Sequence, residues 1–280
     1  MSTIAVIGSV NLDLVATVAR LPSPGETVTD AELNRYPGGK GANQALAAQR
    51  LGADVKLIAC VGDDAAAVDA QALLLEGGVD LSGVQSVAGL PTGIAMIAVA
   101  ASGENHIIVA PGANRALTLD ALAVPVADAL ICQLEVPTDT VARAARECAG
   151  FFCVNLAPAK HVDVAVLQRA DLIIVNEVEA AWYGDSLSAA SGMIANTVGA
   201  AGAMISKNGE DIAFAKPPRV DAVDTTAAGD AFTAALTVAL VEGQEPQQAL
   251  EFACAAGAAA CTKLGAQPSL PTRDEVTKLM

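Results

Sequence analysis

Residues 129–183 read ALICQLEVPTDTVARAARECAGFFCVNLAPAKHVDVAVLQRADLIIVNEVEAAWY, and this stretch decides the fold. Short apolar runs at 129–133, 152–155 and 172–175 alternate with segments of helical composition and spacing at 138–149, 162–170 and 178–183. Continuous apolar strands interleaved with helices belong to a parallel sheet covered on both faces. Right-handed crossovers then place the helices on both sides. Outward from this stretch the rhythm persists, with strands expected at 4–7, 55–60 and 203–206 and helices at 42–51 and 66–76. Two Ala-rich helices, 228–241 and 247–263, occupy the C-terminal third. The fold class is α/β: a doubly wound, mostly parallel sheet sandwiched by helices. Two segments break the pattern. Residues 12–37 alternate around the turn-rich PSPGE, and 92–110 read as a hairpin, GIAMIAVA-ASGEN-HIIVA, with its turn at Ser102–Gly103. Both are assigned to a small β-sheet lid, inserted at about 12–37 and 92–110 into a single domain spanning 1–280.

The 280 residues carry 16 Lys and Arg against 31 Asp and Glu, a formal charge of −15. A nucleic-acid partner wants a basic face, and an anionic membrane surface repels such a chain. At 53% hydrophobic and 17% charged the composition is globular, and with 3% aromatic residues the core must be built from Ala, Val, Leu and Ile. No apolar run approaches the roughly 20 residues of a membrane span. The first strand gives way to Gly8 and polar residues, so no signal peptide is expected. Cys60, Cys132, Cys148, Cys153, Cys254 and Cys261 stand singly, without a CxxC pair, as reduced thiols of a cytoplasmic protein would. His106 and His161 are the two histidines, in no HExxH or zinc-ligand spacing and with no G-x-S-x-G elbow. Zinc hydrolysis and acyl transfer are poor fits.

In open α/β sheets ligands bind beyond the carboxyl ends of the strands. Here those ends carry Asn11 and Asp13, Asp63 and Asp64, Gln133 and Glu135, Asn155, Asn176, Glu177 and Glu179, and finally Ser206, Lys207 and Asn208. Such side chains suit a polyhydroxylated or phosphorylated ligand, although connecting loops are polar in any case. Two motifs sharpen this. GGKGANQA, 38–45, joins the lid to a helix. Its glycines let backbone approach a ligand, the helix N-terminus presents free N–H groups, and Asn43 can both donate to and accept from a sugar hydroxyl. It is no Walker A loop, because Gly41 follows the Gly39–Lys40 pair and Asn34 stands where a glycine belongs. It is not GxGxxG either; a plain turn before a helix is the competing reading. DTTAAGD, 224–230, leads into an apolar helix. Small residues at 227–229 bare the first N–H groups as an anion hole, and Asp230 beside it can take a proton from a hydroxyl that attacks a phosphoryl group. The competing reading makes Asp230 an ordinary acidic residue at a helix N-terminus.

GGKGANQA and DTTAAGD together resemble the ribokinase-like sugar kinase family. IGSVNLDL at 7–14, PSPGETV at 22–28, PTGIAMI at 91–97, PGAN at 111–114, QLE at 133–135, NLAPA at 155–159, NEVEA at 176–180 and GAQPS at 265–269 follow in the family's order, so the resemblance covers nearly the whole chain. It implies that Asn11, Asp13, Gly39, Lys40, Asn43 and Glu135, with Asp230, hold the sugar. It implies that Asp230 is the catalytic base and that Ala228 and Gly229 supply the anion hole. Asn176 and Glu179 would arrange Mg²⁺ and the ATP phosphates, Glu179 indirectly, with Ser206, Gly229 and Cys254 as further ATP contacts. Asp224, Thr226, Ala260, Lys263, Gly265 and Ser269 correspond to a loop that binds an activating K⁺, mostly through backbone oxygens.

One region departs from the family pattern as read here. The family covers its nucleotide with Thr-x-Gly-x-x-Gly, whereas this chain reads SKNGED at 206–211, with connections several residues short on either side. A chain of charge −15 gains nothing from general electrostatics when it binds ATP. Neutralisation is therefore expected to be local, from Mg²⁺, a helix N-terminus, Lys40 and Lys207. The expected activity is transfer of the γ-phosphoryl group of MgATP to the 5-hydroxyl of D-ribose, under a lid that excludes water and pairs two subunits into a homodimer. The alternatives are the same chemistry on 2-deoxyribose, fructose or a nucleoside, or a sugar- or nucleotide-binding protein without turnover.

Overall fold

The computed structural model describes every residue except Gly103, and every remaining side chain except that of Ala121. The chain opens with β1 (Thr3–Ile7) and passes at once into the lid through β2 (Asn11–Val18) and β3 (Glu32–Gly38). Helix α1 (Lys40–Arg50), β4 (Asp54–Gly62), α2 (Ala65–Glu76) and β5 (Asp80–Val87) return to the body, and the hairpin of β6 (Gly93–Ala100) and β7 (Asn105–Ala110) completes the lid. Gly103, expected in the turn of that hairpin, lies outside the described residues. The alternation read from 129–183 follows: β8 (Ala129–Gln133), α3 (Thr138–Glu147), β9 (Phe151–Asn155), α4 (Val164–Arg169), β10 (Leu172–Asn176) and α5 (Glu177–Tyr183). Then come β11 (Met193–Thr197), β12 (Ala203–Lys207), β13 (Glu210–Ala215), the helices α6 (Ala228–Val241) and α7 (Pro246–Ala260), and the short α8 (Ala266–Ser269) and α9 (Arg273–Leu279).

Among the described residues the main sheet has nine strands in the order β13-β12-β11-β10-β9-β8-β1-β4-β5. From β11 to β5 every neighbouring pair is parallel. The carboxyl ends of these strands consequently share one edge. The strand expected at 203–206 exists as β12 but runs antiparallel, pairing Ala203 with Thr197 and Lys207 with Met193. The strand that continues the parallel set is β11, in a stretch read from the sequence as a connection. Helices α1, α2, α6 and α7 cover one face through an Ala-, Leu- and Val-rich core, and α3 and α4 cover the other. Small side chains let α6 and α7 lie close, so that a Cβ at Gly257 would sit 3.2 Å from the Ala228 carbonyl oxygen.

The lid is a four-stranded sheet, β3-β2-β6-β7. Its base is fixed to the body by Asp64. This carboxylate caps α2 through Ala67 N–H at 2.9 Å and accepts from Thr92 N–H at 2.9 Å and from the Thr92 hydroxyl at 2.6 Å. All six residues of β7 are exposed, Ile107 and Ile108 among them. No helix of the described residues is long and apolar enough to cross a membrane. The six cysteines are free thiols, four of them buried.

Candidate active site

The GGKG segment is built for contact, not only for turning. Gly39 has φ +89°, and a Cβ there would lie 2.7 Å from Asn11 N. A Cβ on Gly41 would lie 2.5 Å from Ser9 N. The first turn of α1 is thereby pressed onto the connection between β1 and β2, which brings Lys40, Asn43 and Gln44 to the carboxyl edge of the sheet.

Asp230, in the first turn of α6, is buried at that edge. Asn43 Nδ2 donates to its Oδ2 at 2.8 Å, and Gln44 Nε2 donates to its Oδ1 at 2.8 Å. Burial pushes the Asp230 carboxyl upward, and Lys40 with these two amide donors opposes that push; Glu135 reinforces it. Asp13, on β2, is pushed up to about 7 by burial first, then by Glu135 and Asp230. Burial works to lower the half-buried Lys40 ammonium, but Asp230, Glu135, Glu179 and Asp13 around it hold it above its ordinary value. Four carboxylates thus surround one ammonium.

Each is held from behind. Glu135 Oε2 accepts from the Ser9 hydroxyl at 2.5 Å and from Lys40 N–H at 3.1 Å. Asn11 is oriented by Asn114, whose Nδ2 donates to Asn11 Oδ1 at 2.8 Å while its Oδ1 accepts from Val10 N–H at 2.9 Å. This contact fixes the orientation of the Asn11 amide. Asn43 Oδ1 is buried without a partner among the described residues.

Across the edge, Asn176 and Glu179 form a reciprocal capping box on α5, with both hydrogen bonds at 2.9 Å. Burial raises the Glu179 carboxyl, against the Asn176 N–H and Lys40. The N-terminus of α6 differs: no side chain caps it, and a Cβ on Gly229 would meet nothing within 4 Å. Ala228 N–H meets the Thr225 carbonyl at 3.2 Å within the preceding turn, and the space beside Gly229 is open. Asp224 ties the loop before α6 to the loop after α7. Its Oδ1 accepts from Thr226 N–H at 2.9 Å and from the Thr226 hydroxyl at 2.5 Å, and its Oδ2 accepts from Gly265 N–H at 2.9 Å. Ala260 ends α7, the Ser269 hydroxyl donates to the Ala266 carbonyl at 2.9 Å, and the Lys263 ammonium pairs with Glu275 at 2.8 Å. Lys263 therefore has only its backbone to offer that loop.

Three expected nucleotide-side residues need correction. Ser206, Lys207 and Asn208 stand at the end of an antiparallel strand, where Ser206 pairs with Ile194 and Lys207 with Met193 at the start of β11. They lie on the edge of the sheet opposite the site, so neither the Ser206 contact nor neutralisation by Lys207 survives. The residues that do reach the carboxyl edge are those after β11, and they read Thr197-Val198-Gly199-Ala200-Ala201-Gly202. That is the Thr-x-Gly-x-x-Gly pattern expected to be missing. Gly199 and Gly202 have φ of +50° and +122°, and a Cβ on Gly202 would lie 2.3 Å from the Ala215 carbonyl oxygen. Cys254 is buried on α7 with its thiol 3.7 Å from the Ala215 carbonyl oxygen, and burial pushes that thiol up to about 11. Sequence reasoning gave Ser9, Gln44 and Asn114 no role although IGSVNLDL, GGKGANQA and PGAN contain them, and it named Gln133 only as a polar residue at a strand end.

A carboxylate base, an open helix N-terminus and a polar pocket beneath a lid are the parts of a phosphoryl-transfer site on a hydroxylated acceptor. Residues 1–273 match the pfkB family carbohydrate kinase description. The chain belongs to this family. It is an ATP-dependent carbohydrate kinase. The ribokinase of Haemophilus influenzae is 36% identical over 301 residues, covering 99% of this chain and 98% of that protein. The crystal structure of a ribokinase from Thermotoga maritima superposes with a TM-score of 0.88 at 34% identity, covering 100% of this chain and 99% of that one. The structure of Arabidopsis thaliana ribokinase complexed with ribose and ATP gives a TM-score of 0.86 at 29% identity, with 99% and 98% covered.

Proposed function

We propose that this chain transfers the γ-phosphoryl group of MgATP to the 5-hydroxyl of D-ribose, giving ribose 5-phosphate and ADP. The observation that carries the reading is Asp230, a buried carboxylate held by two amides beside an uncapped helix N-terminus. In this reading Asp230 accepts the proton as the sugar hydroxyl attacks, and Ala228 and Gly229 N–H groups hold the charge that develops on the phosphoryl oxygens. Asn11, Asp13, Gly39, Lys40, Asn43 and Glu135 hold the sugar, and the named ribokinases among the relatives support ribose as that sugar.

Glu179 fits Mg²⁺ as a buried carboxylate already fixed by Asn176 N–H, a hard oxygen donor of the kind this ion takes through its waters. Bound with ATP, the metal draws charge from the phosphoryl group and offsets its repulsion of the attacking oxygen. The loop tied by Asp224 and Thr226, with backbone oxygens near Ala260, Lys263 and Gly265 and the hydroxyl of Ser269, has the oxygen-only donor set that suits K⁺. Thr197–Gly202 replaces Ser206 as the cover over the nucleotide, with Gly229 beneath the phosphates and Cys254 as apolar flooring. The exposed Leu33, Met96, Ile107 and Ile108 of the lid support a homodimer joined through that sheet. We read the whole as one cytoplasmic catalytic domain with an inserted lid.

Asp230→Asn keeps the size of the side chain and removes the base. Its kcat should fall by ~10²–10⁴-fold, with ribose affinity by calorimetry within a few-fold and melting little changed. Turnover close to wild type in a folded variant contradicts the assignment.

A further inference from the structure

Gln44 lies on α1 inside GGKGANQA, fully buried, and the proposed chemistry gives it no ligand. Its Nε2 donates to Asp230 Oδ1 at 2.8 Å and approaches Asn155 Oδ1 at 3.3 Å, while its Oε1 accepts from Gln133 Nε2 at 2.6 Å. The orientation of this amide is dictated by its partner. A carboxylate can only accept, so the nitrogen must face Asp230, and the oxygen is left for Gln133. Gln133, at the end of β8, is equally buried, and it fits because position 8 is glycine: a Cβ there would lie 2.0 Å from Gln133 Oε1. A chain of side-chain hydrogen bonds therefore runs from β8 through α1 to the carboxylate on α6.

We propose that Gln44, clamped by Gln133, is a positioning residue for Asp230, fixing the plane of the carboxylate and favouring its charged form. This rests on Asp230 being the base. Asn43 grips the other oxygen from the sugar side, whereas Gln44 is fastened on the protein side, its side-chain hydrogen bonds among the described residues going to Asp230, Asn155 and Gln133. The charged groups facing Asp230 are Lys40 from α1, Glu135 from the loop after β8 and Asp13 from β2. Lys40 favours the carboxylate, and the two acids oppose it. Loss of the Gln44 donor tips that balance toward the protonated acid. A base works above its pKa, so the acidic limb of the rate profile should move to higher pH.

The test is Gln44→Met, with Gln133→Met as a second variant that touches neither Asp230 nor any proposed ligand. Three quantities are read in the wild type and both variants: kcat against pH, KM for ribose, and the titration of the Asp230 carboxyl by carbon-13 NMR. Q44M should lose about tenfold or more in kcat, the worth of one hydrogen bond to a charged group, with KM changed much less. Its acidic limb and its carboxyl titration should both move upward. Q133M should shift in the same direction by less, which keeps the test alive if Q44M does not fold. A merely structural glutamine would lower melting and leave the limb and the titration in place; that result overturns the proposal. If the wild type turns over no sugar, the kinase reading falls. The carboxyl titration still decides the hold on Asp230: an upward shift supports it and an unchanged one overturns it.

Discussion

Asp13 is placed where a carboxylate is least comfortable, buried and facing Glu135 and Asp230. Its ordinary value of 3.8 is pushed up to about 7. Between those values the native state binds a proton that the unfolded chain has released, so stability falls as pH rises. Asp13→Asn carries no charge to bury and should escape this loss. Its melting temperature should match wild type near about pH 4 and exceed it by roughly 2 °C or more at about pH 8, the scale of a 1 kcal/mol change in a chain of this size. Scanning calorimetry at the two pH values checks this, and an equal advantage at both would refute it. If Asp13 holds the sugar as proposed, strain of this kind is what the site costs in its empty state. Asn11, Asp13, Lys40, Asn43 and Asp230 were legible as candidates because the first two follow closely on the apolar run of β1 and the other three lie where a helix begins. Ser9, Asn114 and Gln44 were not. Their partners lie 126, 104 and 186 residues away in the chain, and only the fold brings such pairs together.

The element that escaped the sequence reading is β11. MIANT ends in two polar residues and is only half-buried, so it lacks the continuous apolar run of a central parallel strand. The more apolar stretch at 203–206 took its place, and with it went the turn after β11. β5 escaped for a similar reason, being an edge strand with no fully buried residue. If Thr197–Gly202 covers the nucleotide, Gly199→Val should raise KM for ATP several-fold and leave KM for the sugar alone. The space beside Gly199 is open, so the added side chain meets only a ligand, and its φ of +50° disfavours a β-branched residue. A variant with unchanged nucleotide kinetics would remove this loop from the site. The loop fastened by Asp224 makes a second prediction at this scale. Asp224 links Thr226, two residues before Ala228, to Gly265. A cation bound there would stiffen the anion hole. Exchanging potassium for tetramethylammonium at constant ionic strength should therefore lower kcat, and a flat response would count against the loop as a cation site.

At the scale of the whole molecule, the alternation of strands and helices was readable because a parallel sheet buried on both faces leaves its mark on every central strand. The lid was readable because its strands alternate instead. What joins them into an enzyme is the carboxyl edge shared by the parallel strands β1, β4, β8, β9, β10 and β11. Asn11, Asp13, Asn43 and Glu135 each offer hydrogen bonds that a missing hydroxyl would leave unpaired, at about 1–3 kcal/mol apiece. The most direct test of the account is release of ADP by the purified protein with MgATP and, in turn, ribose, 2-deoxyribose, fructose and a nucleoside. Ribose should drive ADP release with a kcat/KM at least about tenfold above 2-deoxyribose, and phosphorus NMR should find the new phosphate on the 5-oxygen. Equal rates with 2-deoxyribose or fructose would contradict the ribose assignment, and ADP release that no sugar stimulates would contradict the kinase itself.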